Sequence, residues 1–133
     1  MKLLNALKLF YIRNIINTEN KIKSLFDHHF FSNHYYLHKS ASDAHMANIL
    51  NIDIASLNQI SYQNYHLQFN DLCEKYRVEH FWNECTNPLN ADLPVNSLIN
   101  ASGFKSNEEF SILITNKKEE SKKIITNQFR YFF

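Results

Sequence analysis

Glycine and proline are nearly missing from this 133-residue chain, which has one Gly and two Pro. Two-residue hairpins and other tight turns draw on glycine, so the shortage argues against a many-stranded sandwich or barrel and favours helices. Cysteine is as scarce. Cys73 and Cys85 stand twelve residues apart in one helical pattern, a separation of about 18 Å along a helix and beyond disulfide reach. Long apolar runs are also absent: the stretch from Met1 to Ile16 is cut by Lys8 and Arg13, and no small-residue cleavage site follows it. Neither a membrane span nor a secretion signal is therefore expected, and the chain is predicted to be cytoplasmic with no membrane partner. Arginine is limited to Arg13, Arg77 and Arg130, which leaves few side chains for bidentate recognition of guanine or phosphate.

What the chain does contain is apolar material, with 44% hydrophobic and 14% aromatic residues. That composition can offset the entropy of ordering, and the length allows one core of ordinary size. Fourteen basic against thirteen acidic residues give a formal charge of +1, a weak field for attracting a polyanion.

Leu3, Leu4, Leu7, Phe10, Ile15, Ile16, Ile22, Leu25 and Phe26 recur at helical steps, which predicts an amphipathic N-terminal helix. The following stretch DHHFFSNHYYLHK, Asp27 to Lys39, has no clean period and is read as a helix end plus a connection. Ser42 is a capping residue for a short helix with Met46, Ala47 and Leu50 inward, and Asn51 suits the left-handed turn that stops it. Asp53 caps a second helix, with Leu57 and Ile60 inward. Asn70 then opens a long helix carrying Leu72, Cys73, Tyr76, His80 and Phe81, which ends before Pro88. Pro94, the inward set Leu98, Ile99 and Ala101, the lone Gly103, and a Ser106-x-x-Glu109 capping box repeat the two-helix pattern, with Phe110, Leu113 and Ile114 on the final helix. The expected fold is all-α: two helix-turn-helix subdomains joined by a long linker helix. The predicted parts are residues 1–40, 41–118, and a tail or helix over 119–133.

The segments MANILNIDIASLNQI, FNDLCEKYRVEHF and LPVNSLINASGFKSNEEFSILI resemble, in order, the double helix-turn-helix DNA-binding domain of the AraC/XylS family of bacterial transcription regulators. The second unit is the more specific, through Leu93, Val95, Ile99, Gly103, Phe104 and Phe110. The resemblance implies recognition helices at about 54–64 and 107–115, inserted in successive major-groove segments of double-stranded DNA. It also has departures. Asn51 stands where the family commonly has glycine, and Ser61 where it has phenylalanine. Gln59 and Ile112 occupy the places of base-reading arginines. The family's closing turn and short helix are not recognisable in residues 119–133.

On that reading Ala55, Ser56, Gln59 and Gln63 face the groove from the first recognition helix, and Asn107, Glu108, Ser111 and Ile112 from the second. Lys105, Lys117, Lys118 and Arg77 would contact phosphates. Four such contacts imply a slope of log affinity against log salt of about −3.6. The alternative is a degenerate copy of the fold that acts as a protein-interaction module without reading DNA.

No catalytic motif, Gly-rich phosphate loop or placed nucleophile occurs, so no enzyme and no cofactor are expected. His28, His29, His34, His38 and His45 cluster in sequence, yet no spacing completes a tetrahedral set, and no metal is expected. The 40 residues before the first unit leave no room for a small-molecule effector pocket. Their apolar stripe can dock on its own domain or pair with a second copy to make a homodimer.

Overall fold

A computed structural model describes residues 2–130, with side chains described through residue 119. The described residues are all-helical. In order they form α1 (Lys2–Asp27), a π-helical turn (His28–Ser32), a 3₁₀ turn (Tyr35–Leu37), α2 (Asp43–Leu50), α3 (Ile54–Tyr65), α4 (Phe69–Thr86), a second 3₁₀ turn (Pro88–Asn90), α5 (Val95–Ala101) and α6 (Asn107–Arg130). The chain divides within α4, between Lys75 and Tyr76, into two compact units. The predicted boundary near residue 40 is not where the chain parts, because the segment before it belongs to the first core.

That core is aromatic. Phe26, at the end of α1, is fully buried and stacks on Phe30 at 5.6 Å and Tyr65 at 5.9 Å, with Phe69 edge-on at 6.0 Å. Phe30 and Tyr35 are buried beside it, so the stretch predicted as a mere connection is core. Its pattern escapes a 3.6-residue reading because a π turn is wider. Phe26 and Phe30 are one helical step apart, whereas Tyr35 joins them from the 3₁₀ turn after His34 takes the left-handed conformation, so no single period runs through the three. Tyr65 donates its hydroxyl proton to Asp27, whose other carboxylate oxygen pairs with Lys23 at 3.0 Å, so the last turns of α1 and α3 are tied.

The α2–α3 pair forms as its caps dictate. Ser42 accepts the His45 N–H at 3.1 Å, Asp53 accepts the Ser56 N–H at 2.7 Å, and Asn51 takes the left-handed conformation at φ 55° between the two helices. Met46, Ala47, Leu50 and Leu57 are buried as predicted, while Ile60 is half-buried. Ser61, which stands where the resemblance places a phenylalanine, is fully buried and donates to the Leu67 carbonyl at 2.7 Å. The hydroxyl thereby binds the loop after α3 where a larger apolar side chain would only fill space. α4 begins at Phe69, not behind an Asn70 cap: the Phe69 N–H donates to the Asn58 side chain at 3.0 Å, and Asn70 lies inside the helix.

The second unit packs Val78 and Phe81 of α4 with Leu98, Ile99 and Phe104, and Phe110, Leu113 and Ile114 of α6 cover them. Gly103 makes the turn at φ 89°, a conformation open to glycine and costly for a residue with a Cβ. Ala101, predicted inward, is exposed. So is Cys85, which is therefore not a packing residue, whereas Cys73 is buried; both are free thiols. α6 runs unbroken to Arg130, past the predicted division at 118/119.

Truncating the ring at the centre of the first core should be costly. Phe26→Ala is expected to lower unfolding free energy by about 3–5 kcal/mol, while Leu3→Ala, at a site 75% exposed, should stay within about 0.5 kcal/mol. Urea titration followed by far-ultraviolet circular dichroism reads both, and equal effects would refute this account of the core.

Candidate nucleic-acid interface

On α3, Ser56, Gln59, Ile60 and Gln63 fall at i, i+3, i+4 and i+7, which sets them on one face. Gln59 and Gln63 are exposed and Ser56 is half-buried; Ala55 is exposed beside them. This face is not open ground. It forms one wall of a cleft of about 350 Å³ whose other wall is Glu19, Asn20, Ile22 and Lys23 of α1. No local pattern marks that neighbour, since the juxtaposition spans about forty residues of chain and rests on the Phe26 cluster. Residues 54–65 contain no charged side chain. The nearest charges across the cleft are Glu19 and the Lys23 already paired with Asp27.

On α6, Asn107, Glu108, Ser111 and Ile112 are all exposed, Ile112 by 55%. Lys118, seven residues beyond Ser111, continues their face; Lys117 is turned about 100° from it. Both lysines, and Lys105, are exposed. The helix start is closed by its own sequence: the Glu109 N–H donates to Ser106 Oγ at 3.0 Å, and the Lys105 N–H donates to Glu109 Oε2 at 2.8 Å. The predicted capping box thus forms, with the carboxylate reaching one residue further back than the cap. Together with Glu108 it offsets the positive end of the helix dipole, which leaves that end poorly suited to a phosphate.

One predicted contact is withdrawn. Arg77 is buried, at 7% exposure, on the stretch of α4 that lines the second unit. A guanidinium shielded from solvent does not reach an outside phosphate. The structure brings Ser56, Gln59 and Gln63 together in the first unit, and Asn107, Glu108, Ser111 and Lys118 in the second.

Three of the clustered histidines come together. His29, His38 and His45 line a hollow of about 250 Å³ beside Tyr35, whose hydroxyl lies 2.8 Å from His45 Nδ1. Among the described residues no group of three His, Cys, Asp or Glu could hold a metal ion. Also among them, no helix is long and apolar enough to cross a membrane. Comparison with family models, curated proteins and solved structures finds no match for this chain.

The Asp53 cap fixes where the α3 face begins. Hydrogen bonds from the Ser56 hydroxyl and then the Ser56 N–H hold its carboxyl below the ordinary range. A lowered folded-state pKa contributes stability that is full above the unfolded value and lost as pH falls through the folded one. Asp53→Ala should therefore lower the thermal midpoint at neutral pH, and the gap from wild type should close as the solution is acidified through the carboxylate range. A gap that persists unchanged in acid would contradict this assignment.

Proposed function

We propose that the protein is a sequence-reading DNA-binding transcription regulator of AraC type, with α3 and the first turns of α6 as its recognition helices. The observation that carries this reading is the same in both units. Each is a helix-turn-helix pair whose turn is enforced by a left-handed residue, Asn51 or Gly103, and whose second helix exposes short polar side chains at groove-facing spacing. Gln59 and Gln63 can each pair with an adenine edge, Asn107 likewise, and Glu108 can accept from a cytosine amino group. Ile112 offers only contact with a thymine methyl. Phosphate contacts fall to Lys105, Lys117 and Lys118. With Arg77 removed, three contacts imply a log–log salt slope of about −2.7.

A second reading is favoured by the uncharged α3 face and the α1 wall beside it: a helix-turn-helix module that binds protein instead of DNA. The two differ in salt dependence and in mutational pattern. For a DNA reader, Gln59→Ala should relax selectivity by about 1–3 kcal/mol at one base pair. Lys105→Ala should weaken all duplexes alike and reduce the salt slope by about one. A salt-titrated mobility-shift assay on random and selected duplexes measures both. Binding that is absent at low salt, or indifferent to both substitutions, would overturn the regulator reading and leave the protein-binding one.

A further inference from the structure

The first four turns of α1 stand uncovered. Leu3, Phe10 and Tyr11 are 75%, 66% and 67% exposed, and Leu4, Leu7 and Ile15 are exposed beside them. At about 100° per residue these six fall within an arc of about 140°. Lys2 and Arg13 project from the opposite side, which also carries the exposed Leu9, Ile12 and Ile16; Lys8 borders the arc, and Asn14 and Thr18 lie within it. Residues 2–18 hold no acidic side chain. The whole of α1 has five basic residues against Glu19 and Asp27, while the rest of the chain has nine basic and eleven acidic residues. The excess positive charge is thus concentrated on a helix whose outer half leaves its apolar side chains bare.

We propose that residues 2–18 of α1 lie on an anionic lipid surface, with Leu3, Leu7 and Phe10 sunk at the headgroup boundary and Lys2, Lys8 and Arg13 toward the phosphates. A helix with exposed apolar side chains over most of its circumference, basic residues and no acid among them, and too little apolar length to span suits an anionic interface. Aromatic side chains such as Phe10 and Tyr11 suit the same depth. The competing occupant is a second copy of the chain, and the sequence disfavours it. The best heptad register places Leu4, Tyr11, Ile15 and Ile22 in the seam but also Lys8 and Thr18, and a parallel partner would set Lys8 against Lys8 with no acid within residues 2–18 to relieve it. The proposal departs from the expectation of no membrane partner, which rested on the absence of a span. The inference concerns α1 alone and does not depend on whether α3 and α6 read DNA.

Flotation of the full chain with vesicles of phosphatidylcholine, and of phosphatidylcholine mixed with phosphatidylglycerol, tests it. The chain should float with the mixed vesicles, stay in solution with the neutral ones, and be released by salt. Lys8→Gln with Arg13→Gln should lower the partition coefficient roughly thirtyfold at low salt. Leu7→Glu with Phe10→Glu should abolish flotation. All four positions are solvent-exposed, so an unchanged thermal transition is expected for both variants. No flotation of the wild-type chain, or equal flotation with both vesicle types, would overturn the proposal. So would a stable dimer, seen by light scattering, that the Leu7→Glu and Phe10→Glu pair converts to monomer and that mixed vesicles leave intact.

Discussion

The first unit depends on the ring of Phe26. Three segments distant in sequence meet on it: the end of α1, the end of α3 through Tyr65, and the start of α4 through Phe69. Stacked and edge-on aromatic pairs have preferred geometries, so the cluster sets direction as well as supplying apolar burial. The hydroxyl of Tyr65 on Asp27 and the ion pair of Lys23 with the same carboxylate then fix the rotation of α1 about its own axis. From this follows the placement of Glu19, Asn20, Ile22 and Lys23 along the α3 face. The cleft is a consequence of how an aromatic corner closes.

Charge decides what that cleft can do more sharply than shape does. A helix entering a major groove is flanked by phosphates, and basic residues beside it normally supply most of the affinity. Here α3 supplies none, Lys23 is paired, and Arg77 is buried in the other unit. The first unit can therefore contribute selectivity through amides and a hydroxyl, but little attraction. The second unit has Lys118 in line with Asn107 and Ser111, opposed by Glu108 on the same surface. On the DNA reading, affinity and selectivity are carried mainly by different units, and the weak attraction makes affinity modest.

Local chemistry was legible and long-range chemistry was not. Ser42, Asp53 and the Ser106–Glu109 box were readable because a cap is an interaction over three residues, and Asn51 and Gly103 because a left-handed turn selects its residue type. His34 and His66 also take positive φ, yet histidine carries no comparable signal. The core stretch after α1 was not legible because a π turn, a left-handed His34 and a 3₁₀ turn follow one another there, and no single period runs through them. Asn58 capping α4 and α1 bordering α3 were lost for another reason. Both are tertiary contacts whose partners carry no mark of the pairing. At Arg77 the sequence misled, because a basic residue on a helix was taken to face outward. At the far end, Phe129, Tyr131 and Phe132 are the residues that the resemblance offers in place of the aromatic ones of the family's last helix, and their side chains lie outside the described structure.

α1 joins the two surfaces of the first unit, and that has a thermodynamic consequence. Its residues 19–23 wall the α3 cleft, and its residues 2–18 present the uncovered apolar and basic face. The whole is one continuous helix with no break from Lys2 to Asp27. A helix transmits a tilt or a rotation at one end to the other because its hydrogen-bond ladder resists local bending. An occupant of the outer half and an occupant of the cleft at Gln59 and Gln63 would therefore bear on the same helix. Were one to alter the affinity of the other, linkage would make the effect reciprocal. What holds that helix against the rest of the first unit is the Phe26 cluster, whose rings are buried and mutually packed, and not its exposed turns.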